Sequence, residues 1–304
     1  MDENRPTPPW MLFIRASRPL LLAGVILTYW LGAGIADYLG VTIDWGDYLL
    51  GQGWMITLLL GGVYLDGYYD KLTERLAARK NPHASGGERQ ELLPVTLLVA
   101  GAAALTAAAS LSVVLLGQSH PSPQTVMIMG LAFLGVVSYA VPPLRLVSSG
   151  YGELVSSILI ANLTPALSFT LQTGELHRLL AMGTFPLTAL CMAFFLASQL
   201  PEYAEDVKYN RRTLLVRLGW QRGMVFHNAL ILMAFLLIAL ALTFGLPLFL
   251  GLPAFLPLPL GVLQIWQMRR IADGARPNWN SLRLTAIVLF ATTAYLIAYA
   301  FWTR

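Results

Sequence analysis

Nine stretches of this chain, at about residues 19–40, 48–70, 92–117, 125–143, 152–172, 179–200, 222–244, 247–268 and 282–302, are apolar over a length that crosses about 30 Å of hydrocarbon as a helix. Backbone polar groups find no water inside a bilayer, so runs of this length that enter lipid must pair their own N–H and C=O groups within one helix. The prediction is an all-α fold, a polytopic bundle of about nine transmembrane helices. Composition points the same way: 56% of the 304 residues are apolar and 12% charged, with a mean hydropathy of +0.62, outside the range of a soluble domain.

Charge placement orients the bundle, because Lys and Arg resist translocation. With nine spans, one side collects Arg5, Arg15 and Arg18, then Lys71, Arg75, Arg79, Lys80 and Arg89, then Arg145. It also takes Lys208, Arg211, Arg212, Arg217 and Arg222, and finally Arg269, Arg270, Arg276 and Arg283. That is 18 of the 20 basic residues, with only Arg178 and Arg304 opposite. One span more or fewer would mix these loops, so the asymmetry predicts an N-inside, C-outside topology, with the basic loops cytoplasmic and the plasma membrane as the expected location. The sequence pI near 9.3 is then a topology signal, and nucleic-acid binding is excluded from the reading.

Residues 1–18 lack the apolar core and small-residue cleavage site of a secretory signal, and the first helix is expected to be retained. The single cysteine, Cys191, lies in an apolar span and reads as a small buried hydrophobe. His83, His120, His177 and His227 have no ligand spacing, so no zinc or haem site is assigned. No linker divides the chain, which is expected to form one domain over 1–304. The two long polar loops, at about 71–91 and 201–222, each follow an even-numbered span and each begin with acidic residues spaced by four, a hint of internal duplication.

Those acidic residues carry the chemistry. The second span ends in GGVYLDGYYDKLTERLAARK, which puts Asp66, Asp70 and Glu74 at i, i+4 and i+8 on one face of a helix. The sixth ends in ASQLPEYAEDVK, with Glu202 and Asp206 at i and i+4 and Ser198 one turn earlier. Carboxylates at the mouth of an apolar bundle repel one another and are costly to bury unless cations lie between them. Hard oxygen donors favour Mg²⁺, which keeps waters and is commonly held by a few carboxylates together with substrate phosphates. Two facing clusters flanked by Arg and Lys suit a metal-bound diphosphate. Taken one at a time, such carboxylates also read as interfacial salt bridges to the neighbouring loops.

The arrangement resembles the UbiA superfamily of intramembrane prenyltransferases, whose motifs are NxxxDxxxD and DxxxD. Asp66 stands in place of the Asn of the first motif, Asp70 matches, and Glu74 replaces its last Asp; Glu202 and Asp206 match the second with Glu for its first Asp. Arg18-Pro19 before the first span, Asn81-Pro82 after the first motif, and Arg212-Thr213-Leu214 with Leu218-Gly219 after the second agree in order. Tyr139-Ala140-Val141-Pro142-Pro143-Leu144-Arg145, Gly150-Tyr151-Gly152-Glu153 and Gln172-Thr173-Gly174 are similar to the branch of 1,4-dihydroxy-2-naphthoate prenyltransferases of menaquinone synthesis. By themselves these last segments read as a tight interfacial turn and a helix start.

The resemblance implies transfer of a polyprenyl group from an allylic diphosphate to a small aromatic acceptor, such as a quinone precursor, within the bilayer. Asp66, Asp70, Glu74, Glu202 and Asp206 are the expected Mg²⁺ ligands. Lys71, Arg75, Arg79, Lys80, Arg145, Lys208 and Arg212 are candidates for diphosphate contact. Tyr139, like Tyr68 and Tyr69, offers a ring face to an allylic cation or a hydroxyl to the acceptor. Two alternatives share these residues: a membrane terpene cyclase with the same metal site and no aromatic acceptor, and a transporter, whose carboxylates should lie nearer the bilayer midplane.

Overall fold

The computed structural model describes residues 8–80, 92–119, 121–208 and 211–304. A short amphipathic helix α1 (Pro9–Ala16), with Trp10 and Ile14 exposed, precedes the first span α2 (Pro19–Tyr38). Then come α3 (Trp45–Lys80), α4 (Pro94–Gln118), α5 (Pro123–Ala140), α6 (Gly152–Ile158) and α7 (Thr164–Thr173). The second half contains α8 (Arg178–Gln199), α9 (Tyr203–Lys208), α10 (Leu214–Leu218) and α11 (Trp220–Thr243), followed by α12 (Leu248–Gly251), α13 (Leu258–Ala272) and α14 (Trp279–Trp302). Among the described residues nine helical segments are long and apolar enough to span a bilayer, and their limits follow the nine apolar stretches within a few residues. The chain is an integral membrane protein.

The starts are local chemistry. Proline occupies the first turn of α2, α4 and α5, where a missing N–H costs nothing. Helix α2 packs against α7 and α14, α8 against α11 and α14, and α3 against α4 and α5. Gly32 on α2 is needed for this packing, since a β-carbon there would lie 2.1 Å from the Pro165 carbonyl oxygen. Helix α4 turns Val95, Val99 and Val113 outward, an apolar face suited to lipid and not to water.

Several spans are not the plain helices that the apolar runs predict. Span five contains a π turn, Leu159–Leu163, between α6 and α7. Pro165 has no N–H to return to the preceding turn, and hydroxyls take up the loosened carbonyls: Thr28 Oγ1 donates to Ile160 O at 2.7 Å and Thr164 Oγ1 to Leu159 O at 2.7 Å. Span eight is broken into α12, a 3₁₀ turn at Leu252–Phe255 and α13, in a segment where Pro253, Pro257 and Pro259 follow one another. The sixth span runs on past its apolar core, because Pro201 opens a 3₁₀ turn, Leu200–Glu202, that hands the chain to α9.

Candidate active site

Helix α3 stays helical for 36 residues, so its last turns project beyond its apolar part and carry Asp66 and Asp70 to the end of the bundle. Asp66 is 1% exposed and Asp70 33%. Burying a carboxylate this fully requires compensating charge, and arginines from three separate segments supply it. Arg18 Nη2 donates to Asp66 Oδ2 at 2.9 Å; Arg145 Nη2 donates to Asp70 Oδ1 at 2.6 Å and lies 4.0 Å from Asp66 Oδ1; Arg211 Nη2 stands 3.8 Å from Asp70 Oδ2. The Arg145 fork also reaches Thr73 Oγ1 at 3.3 Å, and its guanidinium lies 5.9 Å from the centre of the Tyr69 ring. Arg18 touches the Tyr139 hydroxyl at 3.4 Å.

Arg18 and Arg145 share a further property. They are the two non-glycine residues among those described with positive φ, at 49° and 37°. A left-handed backbone costs an L-residue about 1–2 kcal/mol, and such strain collects where a side chain must be aimed. Arg18 is aimed at Asp66, and Arg145 at Asp70 with Asp66 4.0 Å away.

The second acidic pair divides. Because Pro201 breaks the regular helix, Glu202 turns outward, 58% exposed and 3.9 Å from Arg283, whereas Asp206 on α9 is 5% exposed. Thr213 Oγ1 donates to Asp206 Oδ2 at 3.5 Å and the Arg211 backbone N–H to the Asp206 carbonyl at 2.8 Å. Arg211 therefore links the two halves, its amide on the Asp206 segment and its guanidinium at Asp70. The single face expected for Glu202 and Asp206 is not what forms.

The remaining expected residues fall into groups. Lys71 Nζ donates to the Leu92 carbonyl at 2.6 Å, which joins the end of α3 to the start of α4. Arg75, Lys208 and Arg212 are exposed. The side chains of Glu74, Arg79 and Lys80 and the Asn81-Pro82 pair lie outside the described residues. Gln172 of the Gln-Thr-Gly segment sits far from the acidic residues. Its side chain accepts from the Asp44 N–H at 2.7 Å and donates to the Asp44 carbonyl at 3.2 Å, and Gly174 closes α7 with φ of 76°. This segment is a staple between two interhelical turns.

Two site residues were outside the expected set: Arg18 and Arg211. Their signal in the sequence was position alone, in segments already marked by Arg18-Pro19 and the Arg-Arg-Thr run.

A narrow apolar cleft lined by Leu21, Val63, Val136, Tyr139, Ser156 and Ile160 has Tyr139 in its wall. It shares the Leu21 and Ile160 walls with a roomier groove between α2, α8 and α14, bordered by Gly24, Cys191, Phe194 and Phe290. The charged cluster and an apolar cleft thus meet at Tyr139.

Among the described residues no three carboxylate, histidine or cysteine side chains come together as a cation site. Mg²⁺ nevertheless suits what is present: Asp66 Oδ1 is buried without a hydrogen-bond partner, Asp70 follows one turn later, and a magnesium ion needs only one or two carboxylates when phosphate and water complete its shell.

Over residues 25–290 the sequence matches the UbiA prenyltransferase family. The chain belongs to that family. No individually curated protein matches it. Among solved structures, a UbiA homolog from Archaeoglobus fulgidus bound to GPP and Mg²⁺ is 16% identical with a TM-score of 0.64, over 94% of this chain and 99% of that one. The same archaeal protein bound to DMAPP and Mg²⁺ gives 16% identity and a TM-score of 0.62, over 94% and 98%. Bound to Cd²⁺ it gives 15% and 0.61, over 94% and 99%. These likenesses establish a common UbiA fold along nearly the whole length of both chains.

Proposed function

We propose that this UbiA-family protein transfers a polyprenyl group from an allylic diphosphate to a small aromatic acceptor, a quinone precursor of the dihydroxynaphthoate kind, inside the membrane. The observation that carries the reading is the meeting of a buried carboxylate–arginine cluster with an apolar cleft at Tyr139. A diphosphate needs cationic surroundings and a polyprenyl tail needs apolar ones, and here the two adjoin. The archaeal homolog's complexes with GPP or DMAPP and Mg²⁺ support the same substrate class.

Asp66 and Asp70 would hold Mg²⁺; Asp206 on α9, linked to Asp70 through Arg211, and the sequence candidates Glu202 and Glu74 would be its further ligands. Bound there, the metal supplies Lewis-acid stabilisation of the leaving diphosphate. Arg18, Arg145 and Arg211 each point a guanidinium at Asp66 or Asp70 and bind the diphosphate oxygens that approach them, and Arg212, Lys208, Arg75, Arg79, Lys80 and Lys71 are the further basic candidates that the sequence supplies. Their fixed charges are strongest in a site shielded from water. As the C–O bond breaks, the ring of Tyr139 stands at the junction where the allylic carbon must lie, and Leu21, Val136 and Ile160 keep water from capturing the cation. The Ser156 hydroxyl and the Tyr139 hydroxyl are the polar handles facing the cleft and orient the acceptor for attack through carbon. The tail lies along the groove between α2, α8 and α14. The excess of Lys and Arg in these loops supports a cytoplasmic position for this face, in the bacterial plasma (inner) membrane.

The test is turnover of labelled allylic diphosphates of several lengths by membranes or purified protein, with and without Mg²⁺ and candidate acceptors. Metal-dependent formation of a prenylated aromatic is the expected result. Diphosphate release with a cyclised hydrocarbon as the product would point to a cyclase, and absence of both turnover and binding would remove the enzyme reading.

A further inference from the structure

Glu153 has no place in the charge cluster just described, and it is among the most deeply buried carboxylates in the molecule, 3% exposed at the start of α6. Its Oε1 accepts a hydrogen bond from the Leu214 backbone N–H at 3.1 Å, 61 residues further on. Leu214 is the first residue of α10, a position whose amide has no partner within its own helix. Thr213 caps the same helix, its hydroxyl accepting from Val216 N–H at 3.4 Å, and that hydroxyl also reaches Asp206. Arg211, which stands against Asp70, is only three residues before this anchor.

The surroundings are built for close approach. Gly150 has φ of 82°, and a β-carbon there would lie 2.2 Å from Arg217 Cδ and 3.0 Å from the Arg212 carbonyl oxygen. At Gly152 a β-carbon would lie 2.7 Å from Val147 Cα. Arg217 donates to the Ser149 carbonyl at 2.9 Å and lies over the Tyr151 ring at 5.0 Å. The turn after the fourth span and the loop after the sixth are thereby clasped together, with Glu153 as the buried hydrogen-bond acceptor at the centre.

We propose that Glu153 is a positioning residue that, through the Leu214 amide, fixes the Arg211–Leu214 segment and so sets the Arg211 guanidinium against Asp70 for diphosphate binding. This rests on the prenyl-transfer reading only in its last step; the clasp itself does not. A buried acceptor lost to truncation leaves the Leu214 N–H unpaired and the segment free to move.

Purified full-length protein is compared with Glu153→Ala, Glu153→Gln, Leu214→Pro and Leu214→Ala. Leu214→Pro removes the donor at a helix position that tolerates proline, after a Thr213 backbone (φ −63°, ψ 162°) already extended as proline requires; Leu214→Ala keeps the N–H and loses only the side chain. Hydrogen exchange over 211–217 should quicken about tenfold in Glu153→Ala and Leu214→Pro. In Glu153→Gln, whose amide oxygen still accepts, and in Leu214→Ala it should stay near wild type. In turnover, Glu153→Ala and Leu214→Pro should raise KM for the allylic diphosphate about tenfold with a smaller change in kcat. Combined with Arg211→Met, Glu153→Ala should add little, because both act on one contact.

Unchanged exchange in Glu153→Ala, a Glu153→Gln variant as impaired as Glu153→Ala, or full additivity with Arg211→Met would each overturn the proposal. If Glu153→Ala does not fold, the two Leu214 variants decide: equal behaviour of proline and alanine overturns it. Wild-type protein without turnover would sink the prenyl-transfer reading, and exchange would then decide the clasp on its own.

Discussion

Arg145 offers a test in which stability and activity separate. Its backbone is left-handed at φ 37°, and its guanidinium holds Asp70 at 2.6 Å. Alanine at this position loses the contact and keeps the backbone strain, whereas glycine loses the contact and relieves it. Relief of about 1–2 kcal/mol, less the roughly 0.5–1 kcal/mol that glycine costs through unfolded-state entropy, leaves Arg145→Gly more stable than Arg145→Ala by about 0.75 kcal/mol at the centre of those ranges. That is a Tm difference of about 1 °C for a chain of this size, measurable by replicate thermal unfolding in one detergent. Both variants should lose activity alike. A charge-assisted hydrogen bond in a partly buried site contributes about 1.5–3 kcal/mol, so kcat/KM for the allylic diphosphate should fall roughly 10- to 150-fold in each. An Arg145→Ala protein as stable as Arg145→Gly would refute the strain argument. A kcat/KM within about threefold of wild type, against the tenfold minimum above, would refute the assignment of Arg145 to the site.

Other substitutions probe separate parts of the account. Asp206→Ala should abolish turnover while protein yield in the membrane stays close to wild type, checked by quantitative blotting beside the activity assay; full activity would remove Asp206 from the site. Gly32→Ala drives a β-carbon into the Pro165 carbonyl, and overpacking of this kind costs about 1–3 kcal/mol, to be seen as a lowered unfolding midpoint. Thr28→Val removes the hydroxyl that holds the π-turn carbonyl of Ile160; hydrogen bonds inside membranes average about 0.6 kcal/mol, so a loss of about 1 kcal/mol or less is expected. Gln172→Leu should lower stability slightly and leave KM for both substrates unchanged, since its partner is the Asp44 backbone on the far face; a changed acceptor preference would contradict the staple role.

Some of this was legible in the chain and some was not, for physical reasons. Span positions follow from apolar length, a property each segment carries by itself, so Pro19–Tyr38 and Trp279–Trp302 could be located without knowing their neighbours. The i, i+4 spacing of Asp66 and Asp70 was equally local, because α3 continues through both. Glu202 and Asp206 share that spacing, yet Glu202 belongs to the 3₁₀ turn that contains Pro201 and Asp206 to α9, and one faces outward while the other is buried. The π turn in span five depends on Thr28, 132 residues before the carbonyl it holds, and no window along the chain contains both. Partnership among charges was the least legible. Arg18, Arg145 and Arg211 come from three segments, and two of them reach the site through left-handed backbones that nothing in an arginine's chemistry foretells. The Gly-Tyr-Gly-Glu segment was visible as a likeness, while its two close approaches and its hold on Leu214 needed the folded chain.

The central claim is that Asp66 and Asp70, with their arginines, form a magnesium-dependent diphosphate site opening on an apolar cleft. Equilibrium binding of a non-hydrolysable thio-diphosphate analogue of an allylic substrate to the purified protein tests it most directly, in Mg²⁺ and in excess chelator. The account predicts saturable binding that weakens at least tenfold on chelation and loses its metal dependence in Asp66→Asn and Asp70→Asn. Binding of equal affinity with and without metal, or a metal dependence that survives both substitutions, would contradict it.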